Sequence, residues 1–117
     1  MNQKEITVSG LINLIEFGER ENIRYRSWEL AQLFGVYESA VIANVKAIIK
    51  TGFILPCADC AVRQVGNTLL PEEYKLELIV ALAFRLNSAA SLRFRKWIIE
   101  RISYKINVFG VNYQLLN

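Results

Sequence analysis

The sequence predicts a mainly helical α+β domain. It has a helix-turn-helix lobe, a small β-hairpin placed to act as a wing, and a C-terminal lobe of two helices. Three observations predict it. Two short amphipathic segments flank Gly35 at the spacing that a tight interhelical turn needs. The two prolines, Pro56 and Pro71, bracket the one stretch without helical periodicity. Beyond Pro71, apolar residues recur at helical spacing through most of the remaining chain. A chain of 117 residues is one domain, since domains run to ~100–200 residues. Its lobes fall over 1–52, 53–70 and 71–117, none large enough to bury a good core by itself.

The first segment reads two ways. Leu11, Leu14 and Ile15 recur at helical spacing behind Ser9, a candidate N-cap. The same residues fit a strand over 12–17, a turn at Gly18 and Glu19, and a return strand over 23–26. A helix follows over 27–34, with Ser27 as N-cap and Leu30, Ala31 and Phe34 on one face. Gly35 ends it, because glycine takes the left-handed conformation at no steric cost. A second helix spans 38–50 with the core stripe Val41, Val45 and Ile48, and Thr51 and Gly52 close it. The middle reads as a hairpin with strands over 53–55 and 61–65, a turn over 56–60, and an end at Gly66 and Asn67. Pro71 is expected at the first position of a helix reaching about residue 86, with Glu72 and Glu73 against its positive dipole end. That helix is apolar nearly all round, as a helix central to a core or an interface would be. A last helix runs from beyond Ser88 to about Tyr104 with the apolar arc Leu92, Phe94, Ile98, Ile99 and Ile102. The tail over 108–117 is expected to dock through Phe109, Tyr113 and Leu115.

Composition narrows function by exclusion. The apolar share is 53% and the charged share 21%, a globular balance and not a disordered one. Histidine is absent, which removes the commonest general base, the Ser-His and Cys-His nucleophile pairs and the commonest metal ligand. Cys57 and Cys60 have knuckle spacing but no second pair, and a structural zinc site needs four ligands; they read as a reduced pair in a turn. The expectation is therefore no enzyme, no catalytic residue, no metal, no cofactor and no small-molecule substrate. The longest apolar run, 78–84, is far short of the ~20 residues that span a bilayer, and no signal peptide is evident. A cytoplasmic protein without a membrane partner is expected. Net charge is +3, a mild lean towards polyanions.

The stretch 27–49 carries the functional signal. Ala31 is small enough for close helix packing, Gly35 makes the turn, and Val41 locks the second helix, four and then six residues apart. The segment over 35–41 resembles the same stretch in Cro-type repressors. At ~100° per residue, Ser39, Ala43, Lys46 and Lys50 lie opposite the core stripe. The small pair permits close approach, and the lysines reach phosphates or guanine edges. Tyr37 sits at the helix start, where such helices touch DNA. Asn44 lies between core and surface, and Glu38 is acidic where a phosphate would pass. Charge is asymmetric: 85–105 holds six cations against Glu100 alone. Within it Arg93 and Lys96 are candidate phosphate contacts. Arg95 falls inside the apolar arc and reads as structural, paired to a carboxylate such as Glu77 or to helix-end carbonyls. Trp28 and Trp97 read as core.

Tyr74-x-Leu76-x-x-Ile79, the run over 83–88 and Phe94-Arg95-x-Trp97 together resemble the N-terminal module of the virulence-associated RhuM family. The likeness covers roughly 23–116. It implies a helix-turn-helix DNA-binding module of bacterial origin, met on mobile elements and associated with transcription regulation. The expected partners are DNA, through backbone and major groove, and a second copy in a homodimer. The alternative is a protein-interaction or oligomerisation module whose helix-turn-helix does not read DNA, argued from the apolar run 78–84 together with Ile42 and Ala43.

Overall fold

A computed structural model of the chain describes residues 5–52 and 61–108, with side chains described as far as residue 104. The elements are α1 (Val8–Phe17), a 3-10 turn (Arg20–Asn22), α2 (Ser27–Phe34), α3 (Glu38–Lys50), β1 (Val62–Val65), β2 (Thr68–Pro71), α4 (Leu76–Ala83) and α5 (Ala89–Val108). The architecture is mainly helical with one small antiparallel hairpin, as the sequence predicts. No described helix is long and apolar enough to cross a membrane.

The helical reading of the first segment holds, with its start moved. Thr7, not Ser9, is the N-cap, and its Oγ1 accepts from the Gly10 N–H at 3.0 Å. This registers Val8, Leu11 and Ile15 towards the core. What remains of the strand alternative is a single bridge, in which Tyr25 and Tyr74 exchange backbone hydrogen bonds of 3.1 and 2.7 Å. That bridge joins the segment before α2 to the segment leaving the hairpin.

Ser27 is not the cap of α2. Arg26 holds that position, and its N–H donates to Glu29 Oε1 at 2.8 Å, the carboxylate half of a capping box. At the other end Gly35 adopts φ 66° and ψ 41°. The Val36 N–H reaches Ala31 O at 3.0 Å and the Gly35 N–H reaches Gln32 O at 3.3 Å, a Schellman closure that turns the chain sharply into α3. Leu30, Leu33 and Phe34 from α2 meet Val41, Val45 and Ile48 from α3 in the common core.

The hairpin differs from expectation. Its two-residue turn is Gly66-Asn67, with Gly66 at φ 63°, and Val65 pairs with Thr68. Gly-Asn between two strands is a signature of the primed turns that suit strand twist, so this dipeptide continues the unit and does not end it. The strand expected over 53–55, the turn over 56–60 with Cys57 and Cys60, and the tail over 109–117 lie outside the described residues. Pro71 does not open a helix; it ends β2, opposite Val62. A strand terminus tolerates proline because no ladder donor is required there. Glu72 and Glu73 consequently lie in the connection to α4, whose N-cap is Lys75.

Ser88 and Ser91 start α5 reciprocally. Each backbone N–H donates to the other's Oγ, at 3.0 and 3.1 Å, and the buried Ser91 hydroxyl also donates to Leu86 O. Phe94 is fully buried between Phe34 and Trp97, with ring centroids 6.2 and 6.1 Å away. Trp97 is half-buried, and the Arg101 guanidinium sits 5.7 Å above its ring while bonding Glu16 Oε2 at 2.6 Å. Trp28, expected in the core, is 52% exposed, since it lies on the outer side of α2. Arg95 also departs from expectation. Among the described residues its buried Nε meets no acceptor, and Glu77 points to solvent on α4.

Candidate nucleic-acid interface

The core stripe of α3 decides which of its side chains face out. Val41, Val45 and Ile48 are buried against α2 and α4, so among the described residues the opposite face is uncovered. Ser39, Ala43 and Lys50 are exposed on it, and Lys46 is half-buried at its edge. Tyr37, the N-cap residue, is 85% exposed. The four positions expected on this helix therefore share one face, and Tyr37 is exposed at its start. Its composition is small and cationic, with Ile42 half-buried along the margin.

Two other elements border that surface. On one flank lies the hairpin turn: a Cβ added to Gly66 would stand 3.7 Å from the Lys46 ammonium. The β-turn and the lysine therefore occupy neighbouring space, and Arg63 adds a further exposed cation on β1. On the other flank Asn44 is held at both ends of its amide. Its Nδ2 donates to Ala40 O at 2.8 Å, and its Oδ1 accepts from Arg85 Nε at 3.1 Å. Arg85 is exposed just beyond α4, and its contact with Asn44 bridges 41 residues of sequence. No local pattern places it beside α3. In the sequence Arg85 belongs to the late basic cluster, with no signal that places it on this surface.

Glu38, half-buried at the start of α3, lies off the open face and has a partner there. The Ser27 hydroxyl donates to Glu38 Oε2, tying the start of α3 to the start of α2. Tyr74 lies close enough to feel both this carboxylate and Arg63. Burial is the main cause raising its phenol above the ordinary value; Arg63 opposes the shift and Glu38 adds to it.

Arg93 and Lys96 are exposed, but on α5, whose packing partners are α1, α2 and α4. Among the described residues no hydrogen bond or ion pair links either of them to α3. The expected site thus separates into a coherent α3 surface and two cations on a different helix. No described group of three or more cysteine or acidic side chains could hold a metal ion.

Comparison with known proteins adds no relative: no family model, no curated protein and no solved structure matches the chain.

Proposed function

We propose that the chain is a DNA-binding protein of helix-turn-helix type, with α3 as the helix that enters the major groove. One observation carries this reading: the face of α3 opposite its core is open, built from Ser39, Ala43, Lys46 and Lys50, and bordered by Arg85 and the hairpin turn. Ser39 and Ala43 let the helix backbone come close to base edges. Lys46 and Lys50 neutralise phosphates, and Tyr37 contacts the backbone from the helix start. The Gly66-Asn67 turn, beside Lys46, would follow the same strand as a wing. Arg85 would add a phosphate contact on the opposite flank. The Ser27 hydroxyl, by bonding Glu38, holds that carboxylate at the start of α2 and off the Ser39–Lys50 face.

The likeness to the RhuM module enters the proposal as a likeness of sequence. Tyr74, Ile79, Ala83, Leu86 and Phe94 from its blocks are all buried. Phe84, Arg85 and Asn87 of the same blocks are exposed, and a regulatory role on a bacterial mobile element is proposed from the sequence likeness alone.

The test is a salt titration on a random-sequence duplex. At ~50 mM salt, non-specific binding of a helix-turn-helix protein is strong, and each phosphate contact adds ~0.9 to the slope of log K against log salt. Lys46→Ala with Lys50→Ala is expected to weaken binding and flatten that slope by about 2. Unchanged binding by the double variant would remove α3 from the interface.

A further inference from the structure

The outer face of α5 is of a different kind. Leu92 and Ile99, one heptad apart, are 54% and 53% exposed, and Phe84 beside them is 46% exposed. They line a shallow depression together with Arg95, Lys96 and Glu100. Three large apolar side chains exposed around one depression, with charged residues between them, form a patch that gains from being covered.

Its charges say by what. At ~100° per residue, Lys96 and Glu100 lie about 40° apart, on the same flank of the Leu92–Ile99 row. In an antiparallel helix pair related by a two-fold axis, each flank meets itself. With the axis level with residue 98, Lys96 stands opposite Glu100 of the partner subunit, and the same ion pair forms again by symmetry. That register also brings the two Ile99 side chains together beside the axis. The face is therefore complementary to itself in shape of charge: opposite signs meet, and the apolar centre is covered.

We propose that a second copy of this chain docks on α5, as an isologous antiparallel pair of α5 helices centred near Ile99 with reciprocal Lys96–Glu100 ion pairs. This stands on α5 alone and holds whether or not α3 binds DNA. It also gives Lys96 a role other than the phosphate contact expected of it. If both hold, α3 and α5 are separate surfaces of one protomer, and the dimer presents two α3 faces.

Sedimentation velocity of the full chain from ~1 to ~100 μM tests it. A concentration-dependent monomer–dimer equilibrium is expected. Ile99→Glu sets two carboxylates against each other at the axis, and it is expected to raise the dimer dissociation constant at least ~100-fold. Its position is solvent-exposed, so the fold is expected to survive, as circular dichroism will check. The register is read by charge reversal. Lys96→Glu and Glu100→Lys are each expected to weaken the dimer about tenfold, and the two together to restore it. A chain that stays monomeric at ~100 μM overturns the proposal, whether the face is then covered by the chain's own C-terminal residues or left open. A dimer that both single reversals leave unchanged, or that the double reversal does not restore, overturns it too.

Discussion

The outer faces of α3 and α5 differ in what they leave uncovered. Both helices bury one side in the same core and turn the other to solvent. On α3 the uncovered residues are small or cationic: Ser39, Ala43, Lys46 and Lys50. On α5 they include Leu92 and Ile99, each more than half exposed, with Lys96 and Glu100 alternating in sign. Exposure alone does not assign a partner. A helix face of small and cationic residues, with Ile42 only at its margin, offers little apolar area for a protein partner to cover, which is why a polyanion is the partner proposed for it. A face with half-exposed leucine and isoleucine gains from burial, at ~25 cal/mol per Å² of apolar area, and its mixed charges choose the register.

The comparison breaks most severely if the shared core is damaged. Phe94 lies under both lobes, touching the Phe34 ring of α2 and the Trp97 ring of α5. Phe94→Ala is expected to cost ~3–5 kcal/mol, the usual range for a buried aromatic. Urea unfolding measures it, and both surfaces should be lost together. A smaller change separates the helix-turn-helix from the rest. Gly35 has φ 66° and no atom within 4 Å of an added Cβ, so Gly35→Ala meets strain and no clash. The expected loss is ~1–2 kcal/mol for one residue forced left-handed. Loss of stability well beyond that in thermal melts would mean that the turn does more than reverse the chain.

Alkaline pH probes the bridge between lobes. Burial, with help from Glu29 and Glu5, pushes the Tyr25 phenol up to about 12. A raised folded value means the protein favours the protonated phenol. The stabilisation is complete below the ordinary tyrosine value near ~10, and it is lost as pH rises towards 12. The melting temperature is expected to fall across that window. Tyr25→Phe should fall less steeply over the same range, and an equally steep fall would exclude Tyr25 as the source. The smallest effect concerns the border of the α3 face. Arg85→Ala is expected to lower the salt dependence of DNA binding by less than ~0.9, the value of one full phosphate contact. It should leave the α5 dimer unchanged in sedimentation.

Local chemistry made much of this legible from sequence. The helix pair around Gly35 and the buried stripe Val41, Val45 and Ile48 follow from periodicity and one residue with positive φ. The exposed α3 residues follow from the same wheel. What escaped depends on distant contacts or on competing local signals. Pro71 beside two glutamates reads as a helix start, yet pairing with Val62 claims it for β2. Gly66-Asn67 reads as an end until the strand beyond it is seen to fold back. Arg85 beside Asn44 is a tertiary contact with no sequence signature. The arc on α5 shows a different limit. Helical spacing picks out Leu92, Phe94 and Ile99 alike, but only contact with Phe34 and Trp97 makes Phe94 core, and the other two stay on the surface.

The central claim is that α3 and α5 are two surfaces for two kinds of partner. Backbone amide shifts of the full chain, followed by NMR during titration with a short random duplex at low salt, test it most directly. The expected result is a continuous patch of shifts over Tyr37, Ser39, Ala43, Lys46 and Lys50, extending to Gly66 and Asn67, with Leu92, Lys96 and Ile99 unmoved. Shifts centred on α5 with α3 silent, or no shifts at all, would contradict it.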